Sequence, residues 1–203
     1  MKKTLEKLSL QSRINQFSST FESIELTEKH GALMSIEQGI EILMNMLFLT
    51  RKNNNTVYVI GNGGSAAVAS HAVTDLSNVG KFRAFTLHDQ SLLTCMVNDY
   101  GYENAFSRIL GQVAMQGDIL IAISSSGSSM NICNAASQMV DRGGKVITLT
   151  GFAEDNTLRT LGDINIWLNS DDYGFVEIGH QFILHNLSDR FGAGWSSQSS
   201  SGK

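Results

Sequence analysis

The sequence predicts an α/β fold: a doubly wound parallel sheet of five strands with helices on both faces. Three observations carry this. Short runs of β-branched and apolar residues, 57–60 and 119–123 foremost, are apolar on both faces, as strands buried inside a parallel sheet are. Segments of helical period separate these runs at the lengths expected of alternating strands and helices. Two of the runs stop abruptly in turns made of glycine, serine and asparagine, at the strand ends where such sheets bind ligands.

The elements follow in order. Residues 4–21 form a helix with one narrow apolar stripe (Leu8, Leu10, Ile14, Phe17), and 33–50 form a stronger one through Leu33, Ile36, Ile40, Leu43, Met44 and Leu47. Ile42, Met46 and Phe48 widen that stripe beyond one face. Residues 1–53 therefore read as N-terminal helices outside the α/β units, their apolar surface packing between subunits. The α/β domain spans 54–192. Its first strand, 57–60, ends at Gly61 and enters a helix that Ser65 is placed to cap. A second strand covers 83–87, and 92–97 is helix or loop ending in Asn98 and Asp99. A helix over 103–115 precedes the third strand, 119–123. Helix 131–142 closes on Gly143 and Gly144. Strands 146–149 and 164–168 and a helix over 176–190 complete the domain. Residues 193–203 read as a disordered serine-rich tail.

Composition narrows the function. A chain of 203 residues, 42% of them hydrophobic, buries one core, and a net charge of −4 gives no case for nucleic acid. No signal peptide or membrane span is visible, so the chain reads as soluble and cytoplasmic. Cys95 and Cys133 form no metal or disulfide pattern and read as small buried hydrophobes.

The turn Gly61-Asn62-Gly63-Gly64-Ser65 lacks both GxGxxG and GK[ST], which argues against a nucleotide. Its glycines allow a ligand close to the backbone. On the helix that follows, His71 and Asp75 share a face at four-residue spacing. The second turn, Ser124-Ser125-Ser126-Gly127-Ser128-Ser129, sets hydroxyls and free N–H groups between a buried strand and a helix, a neutral cradle for phosphate. Two such turns on neighbouring strand ends fit a ligand with phosphate at one end and hydroxyls at the other, a sugar phosphate.

GNGGSA, HAVTD, NDYGYENAF, SSSGSSMN, VITLTG and DDYGFVEIGHQFILH, in that order, resemble the sugar isomerase (SIS) domain proteins of the phosphoheptose isomerase type over 36–190. The resemblance implies a flavodoxin-like sandwich, a homotetramer joined by its N-terminal helices, and isomerisation of sedoheptulose 7-phosphate to D-glycero-D-manno-heptose 7-phosphate for the heptose of lipopolysaccharide or capsule. It implies phosphate held by Ser124, Ser125, Ser126 and Ser129, and sugar met by Asn62, Gly63, Gly64 and Ser65, with Asn98, Asp99 and Glu177 as further contacts. One zinc ion per site is implied on His71, Asp75, Glu177 and His185, with Asp75 and His185 as the base and acid. The best-studied members carry Glu in place of Asp75 and Gln in place of Glu177, and the segment 78–83 is shorter here. His180 falls on another face from His185 and reads as a packed or surface residue. The same domain also serves as a non-catalytic phosphosugar-sensing regulator and as a tetrameric adaptor for the replication initiator. Retention of both histidines and both carboxylates favours the enzyme.

One geometric conflict accompanies this ligand set. On a straight helix, the eight residues from Glu177 to His185 span roughly 12 Å, far beyond two bonds of about 2.0–2.2 Å to one zinc. Either the chain is not yet helical at Glu177, or, the favoured reading, one of the two ligands comes from a neighbouring subunit.

Overall fold

The structure is a computed structural model that describes residues 8–29 and 31–197. After α1 (Leu10–Glu22) the chain forms two short strands, β1 (Glu25–Glu28) and β2 (Leu33–Met34), and then α2 (Ile36–Lys52). The start of α2 is fixed by a capping box: Ser35 Oγ accepts from the Gln38 N–H while the Gln38 side chain returns to the Ser35 N–H. Leu33, expected inside this helix, therefore lies in β2. The rest alternates strand and helix: β3 (Thr56–Ile60), α3 (Gly64–Asn78), β4 (Arg83–Thr86), α4 (Gln90–Tyr100), a single turn at Tyr102–Asn104 and α5 (Ala105–Val113). Then come β5 (Ile119–Ser124), α6 (Met130–Asp141), β6 (Lys145–Thr150), a turn at Leu158–Thr160, β7 (Ile164–Trp167) and α7 (Tyr173–Gly192).

The sheet has seven strands in the order β2-β1-β7-β6-β5-β3-β4, two more than the sequence suggested. The five expected strands are all parallel, and among themselves lie in the flavodoxin-like order 2-1-3-4-5. The additional pair is antiparallel: β1 lies along β7 with Leu26 opposite Ile166, and β2 caps the edge. A four-residue strand reading Glu-Leu-Thr-Glu carries no apolar run, so it leaves no strand signal in the sequence.

Both faces of the sheet are covered. Leu43, Met44 and Leu47 of α2 pack beside Ala69, Ala72 and Leu76 of α3 and Leu184 and Leu187 of α7 on one face. Phe106 and Leu110 of α5 and Ala135 and Met139 of α6 cover the other. The expectation that 1–53 stands apart from the domain is thus corrected, because α2 belongs to the core and β1 to the sheet. Exposed apolar side chains on α1 and α7 include Leu10, Ile14, Ile178 and Phe182, and α2 also leaves Ile36 and Leu49 exposed. α1 rests on α7 through Phe17 against Phe175 and Phe21 against Phe182, ring centroids 5.8 and 5.1 Å apart. Cys133 is buried as expected, whereas Cys95 is exposed on α4, a helix with no buried residue. Among the described residues no helix is long and apolar enough to cross a membrane.

The expected disordered tail begins too early at 193. Trp195 packs edge-on against Phe48 and Phe191, and its N–H donates to the Arg190 carbonyl at 3.0 Å. Residues 198–203 lie outside the described part. Ending the chain after Ser197 should leave its urea midpoint unchanged, whereas Trp195→Ala should cost about 1–3 kcal/mol. Equal midpoints for the two proteins would refute the packing role of Trp195.

Candidate active site

β3 and β5 are neighbours, but α3 leaves β3 toward one face of the sheet and α6 leaves β5 toward the other. A crevice opens between the two strand ends for that reason. A cavity of about 240 Å³ fills it. Asn62, Gly63 and Gly64 form one wall, Ser124, Ser125, Ser126 and Ser129 a second, and Tyr173 and Glu177 of α7 a third.

The wall residues explain the glycines. Gly63 has φ 53° and ψ −122°, a conformation that side chains oppose. A Cβ on Gly64 would run into the Glu177 carboxylate, so this glycine is what lets Glu177 close over the start of α3. Gly63, rather than Ser65, is the N-cap of α3, and the buried Ser65 sits inside the first turn. Neither Gly63 nor Ser129, the N-cap of α6, makes a side-chain capping bond. Two helix N-termini with their partial positive charge therefore meet at one cavity. The Ser125 hydroxyl is buried there without a hydrogen-bond partner, and Ser124 Oγ accepts from the Gly127 N–H at 3.2 Å. Dipoles and hydroxyls therefore face this cavity from two walls, and the Glu177 carboxylate faces it from the third.

Asn62 is held by residues the sequence reading did not single out. Its Nδ2 donates to Asn131 Oδ1 at 3.0 Å, and its Oδ1 accepts from Asn131 Nδ2 at 2.9 Å and from the Tyr102 hydroxyl at 2.8 Å. Asn131, the second residue after the serine turn, is buried, and only that position hinted at a role. A groove of about 320 Å³ continues across Asn62 to Ser70, His88 and Tyr102, and burial pushes the His88 pKa down.

α3 and α7 run side by side on the same face of the sheet, and further along them lies the second centre. His71, Asp75 and His185 bring one ligand atom each to within 4.8 Å of one another. Asp75 Oδ2 lies 3.0 Å from His185 Nδ1 and 3.4 Å from His71 Nε2, yet this buried oxygen meets hydrogen-bond geometry with neither ring. The two imidazoles stand edge to face at 4.8 Å. A buried carboxylate oxygen facing two ring nitrogens outside hydrogen-bond geometry is an arrangement that a cation completes, and the donor set of two nitrogens and an oxygen suits zinc.

Glu177 does not join this cluster. α7 is already helical at Glu177, so that side of the geometric conflict is closed, and its carboxylate sits at the serine cavity. His185 meets Asp75 within one chain, which removes it as the ligand supplied by a neighbour. Asn98 and Asp99 are also apart from the cavity: both are exposed on α4, where Asn98 Nδ2 donates to Asp99 Oδ1 at 2.9 Å. His180 is a packed residue, fully buried, its Nε2 3.1 Å from the Thr150 carbonyl, and burial lowers its pKa from 6.5 to about 4.

A serine-lined cavity and a histidine–carboxylate cluster thus adjoin on one doubly wound α/β domain. Residues 25–151 match the SIS domain. A phosphoheptose isomerase of Geotalea daltonii is 36% identical over 191 residues, covering 89% of this chain and 92% of that one. One from Aliarcobacter butzleri is 35% identical over 75% of this chain and 84% of its own. The solved phosphoheptose isomerase from Francisella tularensis superposes with a TM-score of 0.79 at 25% identity, over 95% of this chain and all of that one. The chain belongs to the SIS-domain family and, within it, to the phosphoheptose isomerases.

The buried His180 makes stability depend on pH. Its folded pKa lies below its unfolded value, so the unfolded chain binds the extra proton between pH 6.5 and about 4. The folded state is therefore fully favoured on this account above pH 6.5 and loses about 3 kcal/mol as pH falls through that window. Urea unfolding at pH 7.5 and 4.5 should show a smaller loss for His180→Gln than for the parent chain. Identical losses would mean that His180 protonates freely in the folded state.

Proposed function

We propose that this protein is an aldose–ketose isomerase that converts sedoheptulose 7-phosphate to D-glycero-D-manno-heptose 7-phosphate, in the cytoplasm, as a homotetramer with one zinc ion per site. The observation that carries the reading is the placement of two centres on one α3–α7 groove. Gly64 opens the phosphate cavity, and His71 stands seven residues further along α3, roughly 10 Å at 1.5 Å per residue. A sugar phosphate of several carbons, held by its phosphate at the serine turn, reaches the cluster with its carbonyl end.

The phosphate rests on Ser124, Ser125, Ser126 and Ser129, while the Asn62 side chain and the Gly63 and Gly64 backbone meet the hydroxyls, with Ser65 beneath them. Glu177 faces the sugar from α7. At the carbonyl end a base must move a proton between C1 and C2, and an acid must serve the oxygen atoms. Asp75, mostly shielded from water, carries the proton between the carbons, and His185 gives and takes it at oxygen. His71, Asp75 and His185 would hold the zinc, which supplies polarisation of the carbonyl. Three ligands from one chain leave a place for a fourth, and the family resemblance, which counts Glu177 among the ligands, gives it to Glu177 of a neighbour in the tetramer. Asn98 and Asp99, exposed on α4, are read as contacts to a neighbour's substrate. The product feeds heptose for lipopolysaccharide or capsule.

Incubation with sedoheptulose 7-phosphate should yield the aldose, and Asp75→Asn or His185→Ala should each lower kcat by about 100-fold or more. Chelation should abolish turnover and zinc restore it. Binding of the sugar phosphate without turnover would instead make the chain a phosphosugar-binding regulator or adaptor of the same fold. Mixing exchanged subunits of Glu177→Ala and His185→Ala tests the fourth ligand. Recovered activity places Glu177 in a neighbour's site, and a mixture that stays inactive confines it to its own cavity.

A further inference from the structure

Beyond these contacts, we infer that Asn131 and Tyr102 are positioning residues, which lock the Asn62 amide so that its one uncommitted N–H is presented to a sugar hydroxyl. The inference rests on the reading of the cavity as a sugar-phosphate site. An asparagine side chain has two N–H donors and a carbonyl oxygen with two lone pairs. Both lone pairs of Asn62 Oδ1 are taken, by Tyr102 at 2.8 Å and Asn131 at 2.9 Å. One N–H is spent on Asn131 Oδ1 at 3.0 Å. The amide is thereby fixed in plane and in direction, with a single donor left, and Asn62 lines both the phosphate cavity and the groove that continues from it.

The two holders share one support. Asn131 and Asn134 lie one turn apart on α6, and Asn134 Nδ2 donates to the Glu103 carbonyl at 2.9 Å, which pins the single turn that carries Tyr102. That turn follows Gly101, whose φ of 81° lets the chain reverse out of α4. α6 begins directly after the serine turn, so the helix whose N-terminus faces the phosphate also sets the orientation of Asn62. Its position is thus referenced to the phosphate. Asn131 is only 2% exposed, so its own amide touches the ligand through Asn62 rather than directly.

The test is a set of double-mutant cycles read by calorimetric affinity for two probes, sedoheptulose 7-phosphate and inorganic phosphate. Tyr102→Phe and Asn131→Ala should each weaken the sugar phosphate by about 3- to 10-fold, the effect of one or two hydrogen bonds. Inorganic phosphate should bind them as it binds the parent, because the serine turn is intact. In an Asn62→Ala background the same two substitutions should change sugar-phosphate affinity by less than about 2-fold, since nothing remains to be positioned. Tyr102→Phe removes one exposed hydroxyl and keeps the test running if Asn131→Ala does not fold. Additive losses in the two backgrounds, parallel losses for both probes, or a parent that binds the two probes equally would each overturn the inference. A parent that binds the sugar phosphate but does not isomerise it overturns the isomerase assignment alone.

Discussion

The site depends on one topological constraint: adjacent parallel strands whose following helices leave toward opposite faces. β3 and β5 pair directly, with Val57 opposite Ile119, so their ends are held one strand spacing apart. Because α3 goes to one face and α6 to the other, no side chain of either helix can fill the gap between their first turns. The gap is lined by backbone and short residues, and a phosphate can approach both helix ends at once. The glycine and serine walls of the cavity follow from that divergence. The serine turn needs no lysine or arginine because two helix N-termini supply the positive end.

The second constraint is the side-by-side packing of α3 and α7. Both follow parallel strands on the same face, so their successive turns match in height: Gly64 faces Glu177, and Asp75 faces His185. Glycine enables two close approaches of α7. Gly64 admits the Glu177 carboxylate on the α3 side, and a Cβ on Gly179 would collide with Leu168, which follows β7. His180 then ties α7 to the end of β6 through the Thr150 carbonyl, and the next residue, Gly151, donates its N–H to the Ser125 carbonyl at 3.0 Å. Serine turn, sheet end and α7 form one connected path. The burial of a neutral histidine, costly at acid pH, is part of holding Glu177 at the cavity.

These relations explain what the sequence could and could not reveal. The parallel strands were legible because burial on both faces leaves continuous apolar runs such as Ile119-Leu120-Ile121-Ala122-Ile123. The serine and glycine turns were legible because polarity changes abruptly at the strand end. The edge strands were not, since Glu25–Glu28 has four residues, only two of them buried and one of those a threonine. Asn131 and Tyr102 were hidden for another reason. Their partner, Asn62, is 69 and 40 residues away, and no local period marks a pairing made by topology. Helical spacing did join His71 to Asp75, and it also exposed the conflict in placing Glu177 and His185 of one helix on a single ion.

The N-terminal helix shows how a segment outside the sheet still bears on the site. Asp172 caps α7 by accepting from the Gly174 and Phe175 N–H groups, and Arg13 of α1 reaches the other oxygen of that carboxylate at 2.7 Å. The guanidinium also lies 3.6 Å above the Phe175 ring, and the hydrogen bond to Asp172 raises the Arg13 pKa. An ion pair at the surface is worth little by itself. Here it is joined to a helix cap and an aromatic face, so the arginine fixes the direction in which α7 starts. Tyr173 and Glu177, the α7 wall of the cavity, are in the first two turns of that helix. Ile14 of α1 and Ile178 and Phe182 of α7 remain exposed on these same two helices. The wall of the site is thus set through the first turns of α7 as well as through the sheet, whose strands are fixed by their own pairing.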